Sequence, residues 1–175
     1  MQLLISLIAL FPWLGGQAPQ AASHLVALPP TPHQDAIICQ NATWEAQNLL
    51  AVDGQVVHKK LQPYVLAMFT DAKQDGHTLS VTSAYRTCDQ QKSLRIQNCG
   101  SSQYDLTLKP INQCTVPTEP AGHSLHNAGL AVDLACSGYG QFEGSPCYQW
   151  VRKHGQKYRL FEHKLEPWHW STTGQ

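Results

Sequence analysis

Apolar residues recur at helical spacing from Leu61 through Val65, Met68 and Phe69 to Ala72, with Pro63 where a first turn tolerates it and Gly76 placed to close the end. This predicts a core-facing helix of three to four turns. From His77 to Arg86 the period shortens to two: Leu79 and Val81 share one parity, while Ser80, Thr82, Ala84 and Arg86 share the other. The pattern predicts a strand with Arg86 on its polar face. Thr87 and Gln90 have the form of a capping box, so a second helix should start directly after Tyr85-Arg86. Leu130 to Ala135 reads as a strand with Leu130, Val132 and Leu134 toward the core and Asp133 on the other side, between the small residues Ala131 and Ala135. Ser145-Pro146 opens a further helix that packs through Trp150 and Val151 and stops near Gly155. Tyr158–Phe161 and Trp168–Trp170 read as two short strands joined by a turn around His163 and Lys164. Helices mixed with short antiparallel strands make an α+β domain, a small central sheet with flanking helices. Tyr85, Trp150 and Trp168 are read as core aromatics.

The start of the chain breaks from this pattern. Leu3 to Leu14 is an almost unbroken apolar run, read as a signal sequence within residues 1–22, with a membrane tether as the alternative. Its length of about 12 residues falls short of the roughly 20 needed to span a bilayer as a helix. Residues 23–35 form a linker rich in proline, and 36–175 are assigned to one folded domain. Asn41-Ala42-Thr43 fits a glycosylation acceptor.

Composition narrows the class. An apolar share of 42% supports a real core, and the charged share of 14% is well below the roughly 25% of an average chain. With a formal net charge of +0, the chain lacks the basic footprint of a nucleic-acid binder. Its six cysteines follow none of the spacings of structural zinc sites, so three disulfides formed outside the cytoplasm, in a periplasm, cell envelope or secreted setting, are expected. A continuous helix from Cys88 to Cys99 would hold their Cα atoms about 16 Å apart. Either that helix breaks near Asn98 or the two pair elsewhere. Cys136 and Cys147, flanking a Gly/Ser-rich loop, are expected to pair.

Two stretches carry the candidate chemistry. His126, with Gly129 three residues on to turn the chain and Asp133 seven residues on to return, can share a metal with His169, whose neighbours Trp168 and Trp170 must point to the opposite face of a strand. Two imidazoles and a carboxylate leave a coordination position open for water, and Glu166 supplies a spare carboxylate for proton transfer. A non-haem iron site uses the same ligand types, but there the first histidine and the acid normally lie two residues apart on one strand, which leaves zinc ahead. His24, His33, His58, His77, His154 and His163 are read as surface or satisfied core residues. His123, three residues before His126, is less clear.

Ser83-Ala84-Tyr85-Arg86-Thr87 with Gln91, the Ser124-x-His126-x-x-Gly129-x-Ala131-x-Asp133 block, and Glu166-Pro167-Trp168-His169-Trp170 resemble the three signature motifs of the D-alanyl-D-alanine carboxypeptidases and dipeptidases related to vancomycin resistance. These zinc peptidases share a superfamily with lysostaphin-type endopeptidases and the hedgehog signalling domain. The resemblance covers about residues 48–170 and implies that fold. By similarity His126, Asp133 and His169 would bind one Zn2+, Glu166 would be the acid/base, and Arg86 would contact substrate or its developing negative charge. Ser124 and Gln91 match motif positions near the substrate. The implied substrate is a peptidoglycan stem peptide ending in D-Ala-D-Ala. Ala84 stands where glycine is common, and Ser171 where a basic residue is frequent, departures that bear on substrate preference. Alternatives in descending order are a zinc endopeptidase acting on peptidoglycan, a non-catalytic hedgehog-like zinc module, and a metal-free domain stapled by disulfides.

Overall fold

The computed structural model describes Cys39 and residues 48–175. The expected signal sequence or tether, the linker, the Asn41 acceptor, His24 and His33 lie outside the described residues. Among those described, no helix is long and apolar enough to cross a membrane.

The first element is one the hydrophobic pattern did not announce. Asp53 and Gly54 both take positive φ, 49° and 76°, and close an antiparallel hairpin between β1 (Leu49–Val52) and β2 (Gln55–His58). An Asp-Gly pair between strand-forming residues is the sequence signal for this turn. Asp53 Oδ2 also accepts from the Val81 amide at 2.7 Å, which ties the turn to the main sheet.

The helix α1 spans Gln62–Gln74, with Pro63 in its first turn and Tyr64, Val65, Met68 and Ala72 buried. Strand β3 (Leu79–Ser83) follows, then α2 (Cys88–Cys99), whose start carries both hydrogen bonds of the Thr87/Gln90 capping box. A short helix α3 (Gln103–Thr107) has its own capping box from Ser102 and Asp105, a second local signal absent from the sequence reading. Strand β4 is Ala131–Cys136, α4 is Pro146–His154 with Ser145 as its cap, and the hairpin β5 (Phe161–His163) and β6 (Glu166–Ser171) ends the domain. The main sheet has the order β3-β4-β6-β5, with each neighbouring pair antiparallel. Val65, Met68, Val132, Leu134, Val151, Leu160 and Trp170 belong to one buried apolar cluster, so α1 and α4 share a core with this sheet.

Three expectations are corrected. The strand expected at Tyr158–Phe161 begins only at Phe161, because Gly155–Tyr158 form a 3-10 turn that continues α4. Strand β3 ends at Ser83, so Arg86 does not lie on a strand face. The register slips between Val81 and Ser83, and Ala84, expected on the polar side, is buried. A one-residue irregularity inverts the parity of everything after it.

The disulfides are Cys39–Cys88, Cys99–Cys114 and Cys136–Cys147. The helix between Cys88 and Cys99 is continuous, so both pair elsewhere, and the 136–147 bridge is the expected one. Cys99–Cys114 closes a loop of sequence separation 15, which in the chain-entropy picture contributes about 3 kcal/mol. The double replacement Cys99→Ser, Cys114→Ser is expected to lower unfolding free energy by about that amount in urea titration. An unchanged midpoint would mean that the loop stays closed without the bridge.

Candidate active site

Strand pairing brings the first two candidate ligands together. Asp133 on β4 and His169 on β6 are directly opposed in the antiparallel register, so their side chains leave the sheet on the same face. His126 reaches them from the turn-rich segment before β4. That segment is pinned from both sides: the Arg86 amide donates to the His126 carbonyl at 3.1 Å, and the buried Asn127 side chain donates to the Arg86 carbonyl at 2.8 Å. Gly129 has φ +66°, and a Cβ there would lie 2.7 Å from the His58 amide nitrogen, so only glycine lets the chain pass β2 at this point.

The donor atoms converge. His126 Nε2 and His169 Nδ1 are 3.0 Å apart, and Asp133 Oδ1 lies 3.2 Å from the first and 3.1 Å from the second. The far nitrogen of each ring is occupied. His126 Nδ1 donates to the Ala84 carbonyl at 2.5 Å, and His169 Nε2 donates to the Gln175 carbonyl at 2.8 Å. A carbonyl can only accept, so these contacts place the ring protons outward and direct both lone pairs, in neutral rings, at the carboxylate oxygen. Burial pushes His126 toward that neutral form. Three acceptors at 3 Å with no proton between them repel one another unless a cation sits among them. Tetrahedral zinc ligands at about 2.05 Å would be about 3.3 Å from one another, so the triangle has the size such an ion requires. Among the described residues this is the one cluster of histidine, cysteine and carboxylate groups that could hold a metal.

Around the cluster lies a cleft of about 300 Å³ whose lining includes all seven residues singled out from the sequence: Arg86, Gln91, Ser124, His126, Asp133, Glu166 and His169. Glu166 opens β6, three residues from His169, and its carboxyl is pushed up to about 7, chiefly by burial and further by Asp133, against the opposing pull of His169 and Arg86. A cation bound at the cluster would draw it back down. Arg86 places Nη2 3.5 Å from Asp133 Oδ2 and donates through Nη1 to Gln91 Oε1 at 2.7 Å, while its Nε is buried without a hydrogen-bond partner. Gln91 is itself buried, and its amide donates to the Glu119 carbonyl at 2.8 Å. Both ends of Gln91 are thus used inside the protein, and it orients Arg86. Ser124 Oγ accepts from the His126 amide at 3.3 Å and steadies the turn that carries that ligand.

Two residues that the sequence reading did not assign to the site also line the cleft. His163, read there as a bystander, has its ring centroid 5.4 Å from that of His169 and its Nδ1 3.6 Å from Glu166 Oε2. Its place three residues before Glu166 was the available signal. Trp168, expected in the core, is 38% exposed at the rim. Its partner in parity, Trp170, is the buried one. The opposite wall comes from residues 111–119, held by the Cys99–Cys114 bridge and by the fully buried Arg95, which donates to the carbonyls of Asp105, Lys109 and Thr118.

Residues 54–175 match the family described as VanY, D-alanyl-D-alanine carboxypeptidase. The chain is 24% identical over 136 residues to a D-alanyl-D-alanine carboxypeptidase of Enterococcus faecalis (strain ATCC 700802 / V583), a match covering 70% of this chain and 50% of that protein. The chain spans about half the length of the curated relatives it matches. Among solved structures, it shares 24% identity and a TM-score of 0.53 with a vancomycin-resistance D,D-pentapeptidase, VanY, in complex with Zn(II), over 72% of this chain and 80% of that one. With VanYB in complex with D-alanine-D-alanine the values are 23% and 0.55, over 70% and 75%. At these identities the structural likeness establishes a shared fold.

Proposed function

The chain belongs to the VanY family of D-alanyl-D-alanine carboxypeptidases, and from that premise we propose that it is a zinc-dependent hydrolase that removes the terminal D-alanine from peptidoglycan stem peptides. The observation that carries this reading is the triangle of His126 Nε2, Asp133 Oδ1 and His169 Nδ1, three donor atoms about 3 Å apart whose rings have their outer nitrogens already bonded to main-chain oxygens. The two solved relatives are in complex with Zn(II) and with D-alanine-D-alanine respectively, in agreement with it. The six cysteines are all bridged, which suits an oxidising, extracytoplasmic compartment.

A zinc ion held by these three groups would acidify a water and polarise the scissile carbonyl. The protein's own part is proton transfer and positioning. Glu166, three residues from His169 and lining the same cleft, can take a proton from the attacking water and return it to the departing amine of D-alanine. Arg86, fixed by Gln91 and Asp133 and lining the cleft, offers its charge to the substrate's C-terminal carboxylate or to the oxyanion.

The test uses the oxidised protein with its metal content measured, incubated with muramyl pentapeptide and with cross-linked peptidoglycan. Free D-alanine is the expected product. New internal amino ends would indicate an endopeptidase instead, and metal without any product would leave a binding module. Because zinc binds the folded cluster and not the unfolded chain, free metal at a thousandfold above Kd should stabilise the protein by about 4 kcal/mol, read as a rise in Tm that a chelator reverses. Identical melting curves with zinc and with chelator would contradict a metal at this site.

A further inference from the structure

The cleft contains a third carboxylate that neither metal binding nor proton transfer uses. Glu119 lines it together with Glu166 and Arg86, half-buried, and its carboxylate makes no hydrogen bond or ion pair among the described residues. The cations nearest in influence are Arg95 and His123. Arg95 is fully buried and directs its guanidinium at three backbone carbonyls, so it is not free to pair with an acid. Burial raises the Glu119 carboxyl above its ordinary value and outweighs the opposing pull of Arg95 and His123, neither of which bonds to it.

The backbone beneath Glu119 is held with unusual thoroughness. Arg95 and Gln91, both buried, donate respectively to the Thr118 and Glu119 carbonyls, and Asn98 donates to the Thr118 hydroxyl at 2.9 Å. Pro120 restricts Glu119 to extended backbone, and the Cys99–Cys114 bridge anchors the preceding loop. Three polar side chains of α2 thus fix two consecutive residues of the wall. A surface acid needs no such support. A group that must meet a ligand at a set place does.

We propose that Glu119 is a specificity-determining residue that pairs with an ammonium group carried by the side chain of a substrate residue upstream of the scissile bond. The inference rests on the carboxypeptidase reading above and adds which stem peptides the site prefers. A substrate ammonium would supply the counter-charge that the protein withholds from Glu119. The α-amine of a free dipeptide is the other source of the same chemistry, and the experiment separates the two.

The zinc-loaded wild-type protein and Glu119→Gln are compared on three substrates: Nα-acetyl-L-Lys-D-Ala-D-Ala with a free side-chain amine, its Nα,Nε-diacetyl counterpart, and D-Ala-D-Ala. Wild type is expected to favour the free amine over the acetylated peptide by about tenfold in kcat/KM, mostly through KM. In Glu119→Gln that ratio should collapse to about one. Equal use of the two peptides by wild type, or a ratio that survives the substitution, overturns the proposal while leaving the carboxypeptidase reading intact. A loss confined to D-Ala-D-Ala assigns the ammonium to an α-amine and overturns the side-chain assignment. Failure of wild type to release D-alanine from any of the three sinks the carboxypeptidase reading itself, and this inference with it.

Discussion

Glu166→Ala is expected to retain zinc at the wild-type stoichiometry while losing about 10²–10⁴ in kcat, the usual worth of a positioned acid/base. The two halves of that expectation have separate structural causes. Metal affinity is expected from His126, Asp133 and His169, whose donor atoms meet without help from Glu166. Proton transfer is assigned to the Glu166 carboxyl beside that cluster: burial lifts it to about 7 without the ion, and the ion would draw it back toward the carboxylate form that accepts the water's proton. Glu166→Gln keeps the shape and hydrogen bonding of the side chain but cannot take the proton, and should be as inactive as the alanine variant. Metal analysis beside steady-state kinetics checks the prediction. Appreciable turnover in either variant would remove Glu166 from the role, and His163, 3.6 Å from its carboxylate, would be the next group to examine.

His169→Ala should behave in the opposite way, releasing the metal and losing activity as a consequence. Loss of an outer hydrogen-bond partner of a metal ligand costs about 10–100-fold in affinity, so deletion of a ligand must cost more. His169 is buried and directly opposed to Asp133 across the sheet, and removal leaves only one imidazole and one carboxylate facing the open position. The variant should purify without zinc, and its Tm should no longer rise when zinc is added. A zinc-loaded and zinc-stabilised His169→Ala protein would show that the metal, if bound, sits elsewhere.

These two residues differ in how readily the sequence discloses them. His169 was legible because a strand has period two: with Trp168 and Trp170 on one side, the imidazole had to face the other, and β6 bears this out, although only Trp170 is buried while Trp168 reaches the cleft rim. Asp133 was legible for the same reason between Val132 and Leu134. Arg86 lines the cleft, but not from the strand face expected for it. The slip in β3 between Val81 and Ser83 ends the strand early, and Arg86 reaches the cleft from irregular chain tied to His126 and Asn127. Nothing in the local pattern encodes a slip of that kind, because it is set by pairing with β4.

Glu119 and His163 illustrate the remaining gap. Each looks ordinary within its own stretch, and each acquires meaning only from what packs across from it: Arg95 and Gln91 of α2 in one case, His169 of β6 in the other. Periodicity, capping and turn chemistry act between residues a few positions apart, so the amino-acid order alone determined the helices, most strand faces, the 136–147 bridge and the kinds of ligand available. Which groups share one cleft, how far apart they stand, and which carboxyl is left without a counter-charge depend on contacts between residues tens of positions apart. Those contacts exist only once α2, β4 and β6 have packed, and tertiary structure alone decided them.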